Sequence, residues 1–384
     1  MQHNDDKAGI YIHIPFCHKA CHYCNFHFST SVKQKPAYVE ALLQEIALRS
    51  DYAGGRRIGS VYFGGGTPSL LDADELQRIM QALHNHYPID STAEITLEAN
   101  PDDIHADAVR VWKEAGINRL SIGIQSFRDA DLKRMNRTHS GAEALASISM
   151  AQAGGITNIS GDLIYGLPEL DDAAWLANID MMVGAGVQHI SCYALTIEPK
   201  TALAHFIASG KEQAPDDVQT ERQFHLMRTR LLAHGFIHYE ISNFCLPRYQ
   251  AAHNSGYWRG MYYIGLGASA HGYNGKTRQW NFPNNPQYIR AITTNTPSFE
   301  IEYLNTSMQM HELIMVSLRT AQGLDLEAFT SRFGSEARQQ LLDAAAPLIQ
   351  EGVVYVADAY LHIDTAHWFI ADSIIAHLFF DVEA

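Results

Sequence analysis

The sequence predicts an α/β fold: a partial (β/α)6 barrel of TIM type followed by a smaller, α-rich, winged-helix-like domain. Three observations predict it. Short apolar runs alternate with helix-period stretches through the first 245 residues. Those units repeat often enough to give six strands, which favours a parallel sheet with right-handed crossovers. After Cys245 the pattern gives way to a Tyr-, Trp-, Asn- and Gly-rich stretch and then to helices. An open doubly wound sheet would write the same string as a partial barrel.

The strand-like runs are Ile10 to Ile14, Ser60 to Phe63, Ile95 to Glu98, Leu120 to Ile124, Ile159 to Ile164 and His189 to Ala194. Helical patterns fill the gaps at Lys35 to Arg49, Asp74 to Tyr87, Ala106 to Ala115, Gly141 to Ala153 and Ala173 to Gly184. Leu76, Ile79, Met80 and Leu83 form one apolar stripe at helical spacing. Ala115-Gly116 and Ala153-Gly154 supply glycine stops. These units make residues 1–245 the barrel domain, and residues 246–305 are expected to be a loop-rich connector. In residues 306–384, helices are expected at Met308 to Arg319, Asp325 to Phe333 and Ser335 to Glu351. Two short strands, Val353 to Ala357 and Tyr360 to Ile363, precede a last helix. Winged helices often bind DNA, but this segment holds few cations, namely Arg319, Arg332 and Arg338, so it reads as a packing domain.

Composition narrows the function. The chain has 384 residues, 46% hydrophobic and 18% charged, which excludes disordered, collagen-like and coiled-coil proteins. Lys and Arg total 28 against 42 Asp and Glu, a formal net charge of −14. Such a chain has no broad basic face for nucleic acid. Met1 to Gly9 is polar, with no apolar core of a signal peptide, so a cytoplasmic location is expected. Trp368 to Phe380 is broken by Asp372, Ser373 and His377, so membrane contact is peripheral at most.

The five cysteines do not read as a disulfide framework, and three fall within eight residues: Cys17, Cys21 and Cys24. They follow the first strand, on the barrel face where active sites form. Three thiolates suit a [4Fe–4S] cube with one iron left open to a small chelating molecule. The alternative is structural zinc, with His27 as fourth ligand. Cys192 and Cys245 read as small buried hydrophobes.

Cys-x3-Cys-x2-Cys on the first βα loop resembles the radical S-adenosylmethionine (SAM) superfamily. The match sharpens through Gly9-Ile10-Tyr11-Ile12-His13-Ile14-Pro15-Phe16-Cys17, Tyr23-Cys24 and Gly64-Gly65-Gly66-Thr67-Pro68. It continues with Leu97-Glu98-Ala99-Asn100-Pro101, Ser121-Ile122-Gly123-Ile124-Gln125-Ser126-Phe127, Asn136-Arg137 and Gly161-Asp162-Leu163-Ile164-Tyr165-Gly166-Leu167-Pro168. Across residues 9–200 this series resembles the coproporphyrinogen III oxidase-like group, which has a dehydrogenase branch and a haem-chaperone branch, HemW.

The resemblance implies that Cys17, Cys21 and Cys24 hold a [4Fe–4S] cluster. It implies that Tyr11, Gly65, Gly66, Thr67, Glu98, Gln125, Arg137, Asp162 and Ala194 surround SAM. Read alone, the glycine run is equally a tight turn, and each polar residue is equally rim polarity. With a ligand, bare backbone N–H groups can hold a carboxylate or receive an amine. Glu98 or Asp162 can accept from ribose hydroxyls or the ammonium, and Arg137 can pair with the SAM carboxylate. The implied chemistry is one-electron cleavage of the sulfonium to methionine and a 5′-deoxyadenosyl radical, a reactivity belonging to the cofactor. No catalytic residue is assigned, and whether SAM is cleaved stays open.

Two features favour the chaperone branch over the dehydrogenase. The dehydrogenase motif runs on to a fourth cysteine, where this chain has Phe26. The first strand also begins near residue 10, without the dehydrogenase's N-terminal extension. A third feature, His253-Asn254-Ser255-Gly256-Tyr257-Trp258, matches the HNxxYW motif that marks HemW. It makes His253 a candidate axial ligand of haem iron and Tyr257 and Trp258 candidate porphyrin-packing rings. The bland reading of His253 is a hydrogen-bonded histidine; Cys245 and His271 are alternative ligands. The expected partners are haem and haem-acceptor apo-proteins, with a homodimer as an option and no nucleic acid.

Overall fold

A computed structural model describes residues 7–296 and 299–381. Six parallel strands form its centre, in sequence order: β1 (Lys7–Ile14), β2 (Arg57–Gly65), β3 (Ile89–Ala99), β4 (Arg119–Gln125), β5 (Asn158–Tyr165) and β6 (His189–Ala194). The connecting helices are α1 (Lys35–Leu48), α2 (Ala73–His86), α3 (Ala106–Glu114), the short α4 (Asp129–Arg134), α5 (Gly141–Ala153) and α6 (Asp172–Gly184). The strands are legible because one of their faces is an unbroken apolar set. Ile10, Ile12 and Ile14 of β1 and Leu120, Ile122 and Ile124 of β4 are fully buried against the helices. Helix starts are equally local: Asp72 with Glu75 and Ser140 with Glu143 form reciprocal capping boxes on α2 and α5.

Past β6 the chain departs from the predicted string. Two helices, α7 (Ala202–Ala208) and α8 (Asp217–Ala233), precede an antiparallel hairpin, β7 (Ile237–Glu240) and β8 (Asn243–Cys245), which adds to β6. The α8 stripe is hard to see because Thr220 and Gln223 are buried in it beside Phe224, Met227 and Leu231. Gln223 accepts from Gly166 N–H at 2.9 Å and donates to Leu170 O at 2.7 Å. A buried polar residue so satisfied costs little and masks the apolar period.

Residues 246–305 are not a loop-rich connector. They form α9 (Ala252–Trp258), β9 (Tyr262–Leu266), β10 (His271–Tyr273), β11 (Thr277–Asn281), α10 (Asn285–Thr293) and β12 (Phe299–Tyr303). β9 pairs in parallel with β1, and β10 to β12 continue as antiparallel strands, completing a twelve-stranded open sheet. The Gly and Asn residues that suggest loop here are hairpin chemistry. Gly275 turns at φ 85°, and the Asn274 carboxamide accepts from Lys276 and Thr277 N–H. The Glu45 carboxylate of α1 locks this addition to the barrel, accepting from Gly267 N–H, Asn281 Nδ2 and Tyr288 OH at 2.7 Å each.

The last segment holds α11 (Thr306–Leu318), β13 (Leu324–Asp325), α12 (Leu326–Gln350), β14 (Val354–Ala357), β15 (Tyr360–Ile363) and α13 (Ala371–His377). Gly334, at φ 92°, divides α12 in two, near the expected break between two helices. β13, β15 and β14 make the small antiparallel wing. This segment docks on the barrel through Ile241 N–H to Arg319 O and Ala321 N–H to Tyr239 O. Among the described residues no helix is long and apolar enough to cross a membrane.

Candidate functional site

The cysteine loop leaves the C-terminal end of β1. Cys17, Cys21 and Cys24 are all half-buried free thiols. The segment after α4 braces them. Asn136 Nδ2 donates to Ala20 O at 2.7 Å, His22 N–H donates to Met135 O, and Arg137 Nη1 approaches Cys21 Sγ at 3.5 Å. Asn136 holds a left-handed φ of 63°, which asparagine tolerates. Burial pushes the Cys24 thiol up to about 11, with Cys21 and Cys17 adding to the rise. Burial also raises Cys17, partly offset by a hydrogen bond with Thr67. Thiols held in their neutral form must lose protons to bind metal, so loading is expected to release protons and to improve with pH.

The donor set fits a cube better than a single zinc ion. A zinc ion needs its ligands to converge on one point. Among the described residues no three His, Cys, Asp or Glu side chains do so. A cube takes each thiolate on a different iron, so its sulfurs stand apart. The proposed fourth zinc ligand, His27, is bonded through Nε2 to Asn285 Oδ1 at 2.8 Å.

Beside the loop, the ends of the parallel strands bring the expected polar residues onto one concave wall. Tyr11, Glu98, Gln125, Asp162 and Ala194 come from β1, β3, β4, β5 and β6, and all are half-buried on a sheet whose other face is sealed. Gly65 ends β2 with φ 110°, and a Cβ there would lie 2.5 Å from the His13 ring. Gly66 is as confined: its Cβ would meet Phe16 O and Ile14 O at 2.8 and 2.9 Å. Glycine is therefore required at both positions. Gly65 N–H donates to Glu98 Oε2 at 3.1 Å, and Tyr62 OH donates to Glu98 Oε1 at 2.8 Å. Thr67 Oγ1 accepts from Asn100 Nδ2 at 3.3 Å. Arg137 Nη2 donates to Asn100 Oδ1 at 2.7 Å and to Gly123 O at 2.8 Å, so the guanidinium joins the cysteine loop to β3 and β4. Gln125 adopts φ 68°, strained for a residue with a side chain, and its Nε2 hangs over Gly123.

Two carboxylates share this wall. Burial raises Glu98 to about 7, and Asp162 adds to the rise, while Tyr62, Gly65 and Arg119 oppose it. Burial raises Asp162 to about 6 against the pull of Ser191, Arg119 and Ser121. Both would sit closer to their ordinary range beside a cation. Sequence motifs contain Asn100 and Ser121 but do not assign them, and Tyr62 and Ser191 carry no motif signal. Register alone places Tyr62, Ser121 and Ser191 beside the carboxylates, and Asn100 between Thr67 and Arg137.

The second half of the site is a cleft of about 550 Å³ next to this wall. Tyr11 and His13 of β1 form its floor, Phe26 of the cysteine loop its mouth, and Tyr257 and Trp258 of α9 one side. β9 to β11 supply Tyr263, His271, Tyr273 and Arg278, and α11 adds Glu312 and Met315. Phe26 is 66% exposed there.

His253 is absent from this cleft's lining. It is 2% exposed, and both ring nitrogens are engaged, Nδ1 with Ser60 Oγ and Nε2 with Tyr257 OH, each at 2.8 Å. Its ring stacks on Tyr62 at 5.3 Å, and its N–H donates to Glu94. The haem-ligand expectation for His253 finds no support in this geometry: neither nitrogen is free for iron, and burial holds the imidazole neutral at about 3. Its place is that of a pin fixing α9 to β2. His253→Ala is expected to lower unfolding free energy by about 2–4 kcal/mol, because it leaves a cavity and two unpaired hydroxyls. Denaturant melts of the apo-protein measure this. An unchanged melt would contradict the pin.

Residues 11–182 match the radical SAM superfamily and residues 307–369 match the HemN C-terminal domain. The chain is 36% identical over 337 residues to the heme chaperone HemW of Mycobacterium tuberculosis, covering 86% of this chain and 85% of that one. It is 32% identical to the heme chaperone HemW of Bacillus subtilis, over 92% of this chain and 94% of the other. In fold it is similar to the Escherichia coli coproporphyrinogen III oxidase HemN, with a TM-score of 0.83 at 23% identity, covering 97% of this chain and 89% of that one. With the glycine turn, the braced cysteine loop and the HemN-type C-terminal segment all in one chain, these likenesses lead to one conclusion: the chain belongs to the HemW family of the radical SAM superfamily.

Proposed function

We propose that this chain is a haem chaperone that holds a [4Fe–4S] cluster and SAM and delivers haem to acceptor apo-proteins. The observation that carries this reading is the adjacency of two chambers: the polar wall beside Cys17, Cys21 and Cys24, and the aromatic cleft that shares Tyr11 with it. When bound, the cluster supplies one electron to a cleavable sulfonium. The chain's own residues bind and orient. Cys17, Cys21 and Cys24 ligate three irons. Gly65 and Gly66 let the backbone approach the methionine end. Arg137, already fixed by Asn100 and Gly123, offers positive charge beside Cys21. Glu98, fixed by Tyr62 and Gly65, accepts from the ammonium or a ribose hydroxyl, and Asp162 does the same from β5. Gln125, Thr67 and Ala194 complete the wall.

The pH dependence of SAM binding follows from Glu98. Its pKa is raised from an ordinary 4.5 to about 7, so in the unliganded protein it is partly protonated near neutrality. Its contribution to folding is fully present below 4.5 and is lost as pH rises toward 7. A bound cation favours the carboxylate, so SAM binding should release protons and tighten between pH 6 and pH 8. Calorimetry in buffers of different ionisation enthalpy reads the protons. Glu98→Gln should flatten the profile; an unchanged profile in that variant would remove Glu98 from the site.

The functional test is haem transfer. The anaerobic, haem-loaded holo-protein is mixed with an apo-cytochrome, and the acceptor's visible spectrum is followed; coproporphyrinogen III is supplied in parallel with SAM and reductant. Haem appearing in the acceptor with the porphyrinogen unchanged supports the chaperone. Decarboxylated product without transfer would overturn it.

A further inference from the structure

We propose that Arg119 is a positioning residue of the SAM site: buried in the barrel one layer beneath the polar wall, it supplies the positive charge that lets Glu98 and Asp162 stand ionised together to receive a cation. This rests on the SAM reading above and adds a residue to it.

Arg119 opens β4, and the alternation of that strand sets its direction. Leu120, Ile122 and Ile124 are buried against the helices, so Arg119 shares the inner face with Ser121, Gly123 and Gln125. It pairs in register with Thr96 of β3 and Asn158 of β5. Glu98 stands two residues beyond Thr96 on the same face, opposite Ser121. Ser121 Oγ in turn donates toward both oxygens of Asp162, at 3.4 and 3.3 Å. The arginine therefore lies one layer below the one that carries both carboxylates.

Its own partners hold it loosely. Arg119 is 2% exposed, yet its Nε–H has no hydrogen-bond acceptor among the described residues. Its ion pair with Glu94 is long, Nε to Oε2 at 3.9 Å. Glu94 is engaged elsewhere: its two oxygens accept from Ala252 and His253 N–H, at 2.9 and 3.1 Å, where α9 begins. A buried cation so weakly claimed acts on the other charges around it.

The remaining neighbours leave that role to Arg119. Burial keeps the His189 and His253 imidazoles neutral, and Arg119 adds to the effect. Desolvation, with the charges nearby, holds the phenols of Tyr11, Tyr62, Tyr193 and Tyr257 neutral, and it raises the Cys17 and Cys192 thiols. Arg137 also faces Asp162, but it is committed to Asn100 and Gly123 and approaches Cys21. Burial disfavours the ionised form of both carboxyls, and Asp162 adds to this for Glu98; Arg119 opposes it at both. SAM carries a sulfonium and an ammonium against one carboxylate, so its net charge suits the ionised pair.

The test is SAM binding to the cluster-loaded full-length protein, measured by equilibrium dialysis from pH 6 to pH 9. In Arg119→Gln the rise of affinity with pH should move upward by about one unit, which reads as about ten-fold weaker binding at neutral pH. At pH 9 its affinity should equal or exceed that of wild type, because a like charge has left the neighbourhood of the bound cation. Arg119→Lys should keep the wild-type profile. If Arg119→Gln does not fold, the double variant Glu94→Gln/Arg119→Gln removes both partners of the pair, a milder change, and its profile should lie about one unit above that of Glu94→Gln alone. A uniform loss at every pH, an unshifted profile in the Gln variants, or an equal shift in Arg119→Lys overturns the assignment and leaves the SAM reading intact. Absence of saturable SAM binding in the wild type overturns both.

Discussion

Anaerobic reconstitution of a Cys21→Ala protein should give no [4Fe–4S] chromophore, with iron falling from about four per chain to a small residue. Cys21 is the middle of the three half-buried thiols, and two remaining thiolates cannot hold a cube open at one iron. Cys192 and Cys245 cannot substitute, because both are fully buried at the β6–β8 edge. The fold should survive. Arg137 loses a 3.5 Å contact but keeps Asn100 and Gly123, and Asn136 still donates to Ala20 O. Iron and sulfide assays with circular dichroism read both parts. A full cluster in a folded variant would show that other residues ligate it.

Gly65→Ala should cost more than any polar change on the wall. The new Cβ meets the His13 ring at 2.5 Å, on a backbone at φ 110° that a side chain rarely adopts. Strain and overpacking together cost about 2–4 kcal/mol. Relief requires the turn to move, which pulls Gly65 N–H from Glu98 and opens the methionine end of the pocket. SAM affinity in the cluster-loaded variant should fall by at least about ten-fold, read by equilibrium dialysis. Gly55→Ala serves as a control, since its added Cβ meets nothing within 4 Å, although it too has a positive φ. Equal loss in both variants would reduce the Gly65 effect to general destabilisation.

The legible parts of this molecule are those whose signal is local. The six central strands announce themselves by buried runs such as Ile10, Ile12 and Ile14. The cysteine loop is carried by its spacing, and the glycine turn by its place one unit later. What fails to show is set by distant partners. α8 hides its stripe because Gln223 is satisfied by backbone groups of the β5–α6 loop. β9 to β12 hide because short strands with Asn274-Gly275 look like loop until β1 offers an edge. His253 is the instructive case. The string His253-Asn254-Ser255-Gly256-Tyr257-Trp258 shows a histidine among aromatic residues, but nothing in it says that α9 turns that imidazole inward onto Ser60.

On the proposed reading, one chain carries both a radical SAM site and a haem site. An anaerobic haemin titration of the cluster-loaded wild-type protein, repeated with SAM present, tests it most directly. Saturation is expected near one haem per chain, with a shift in haem affinity or spectrum on adding SAM, since Tyr11 borders both chambers. A non-saturating rise in absorbance, the same with and without SAM, would contradict it.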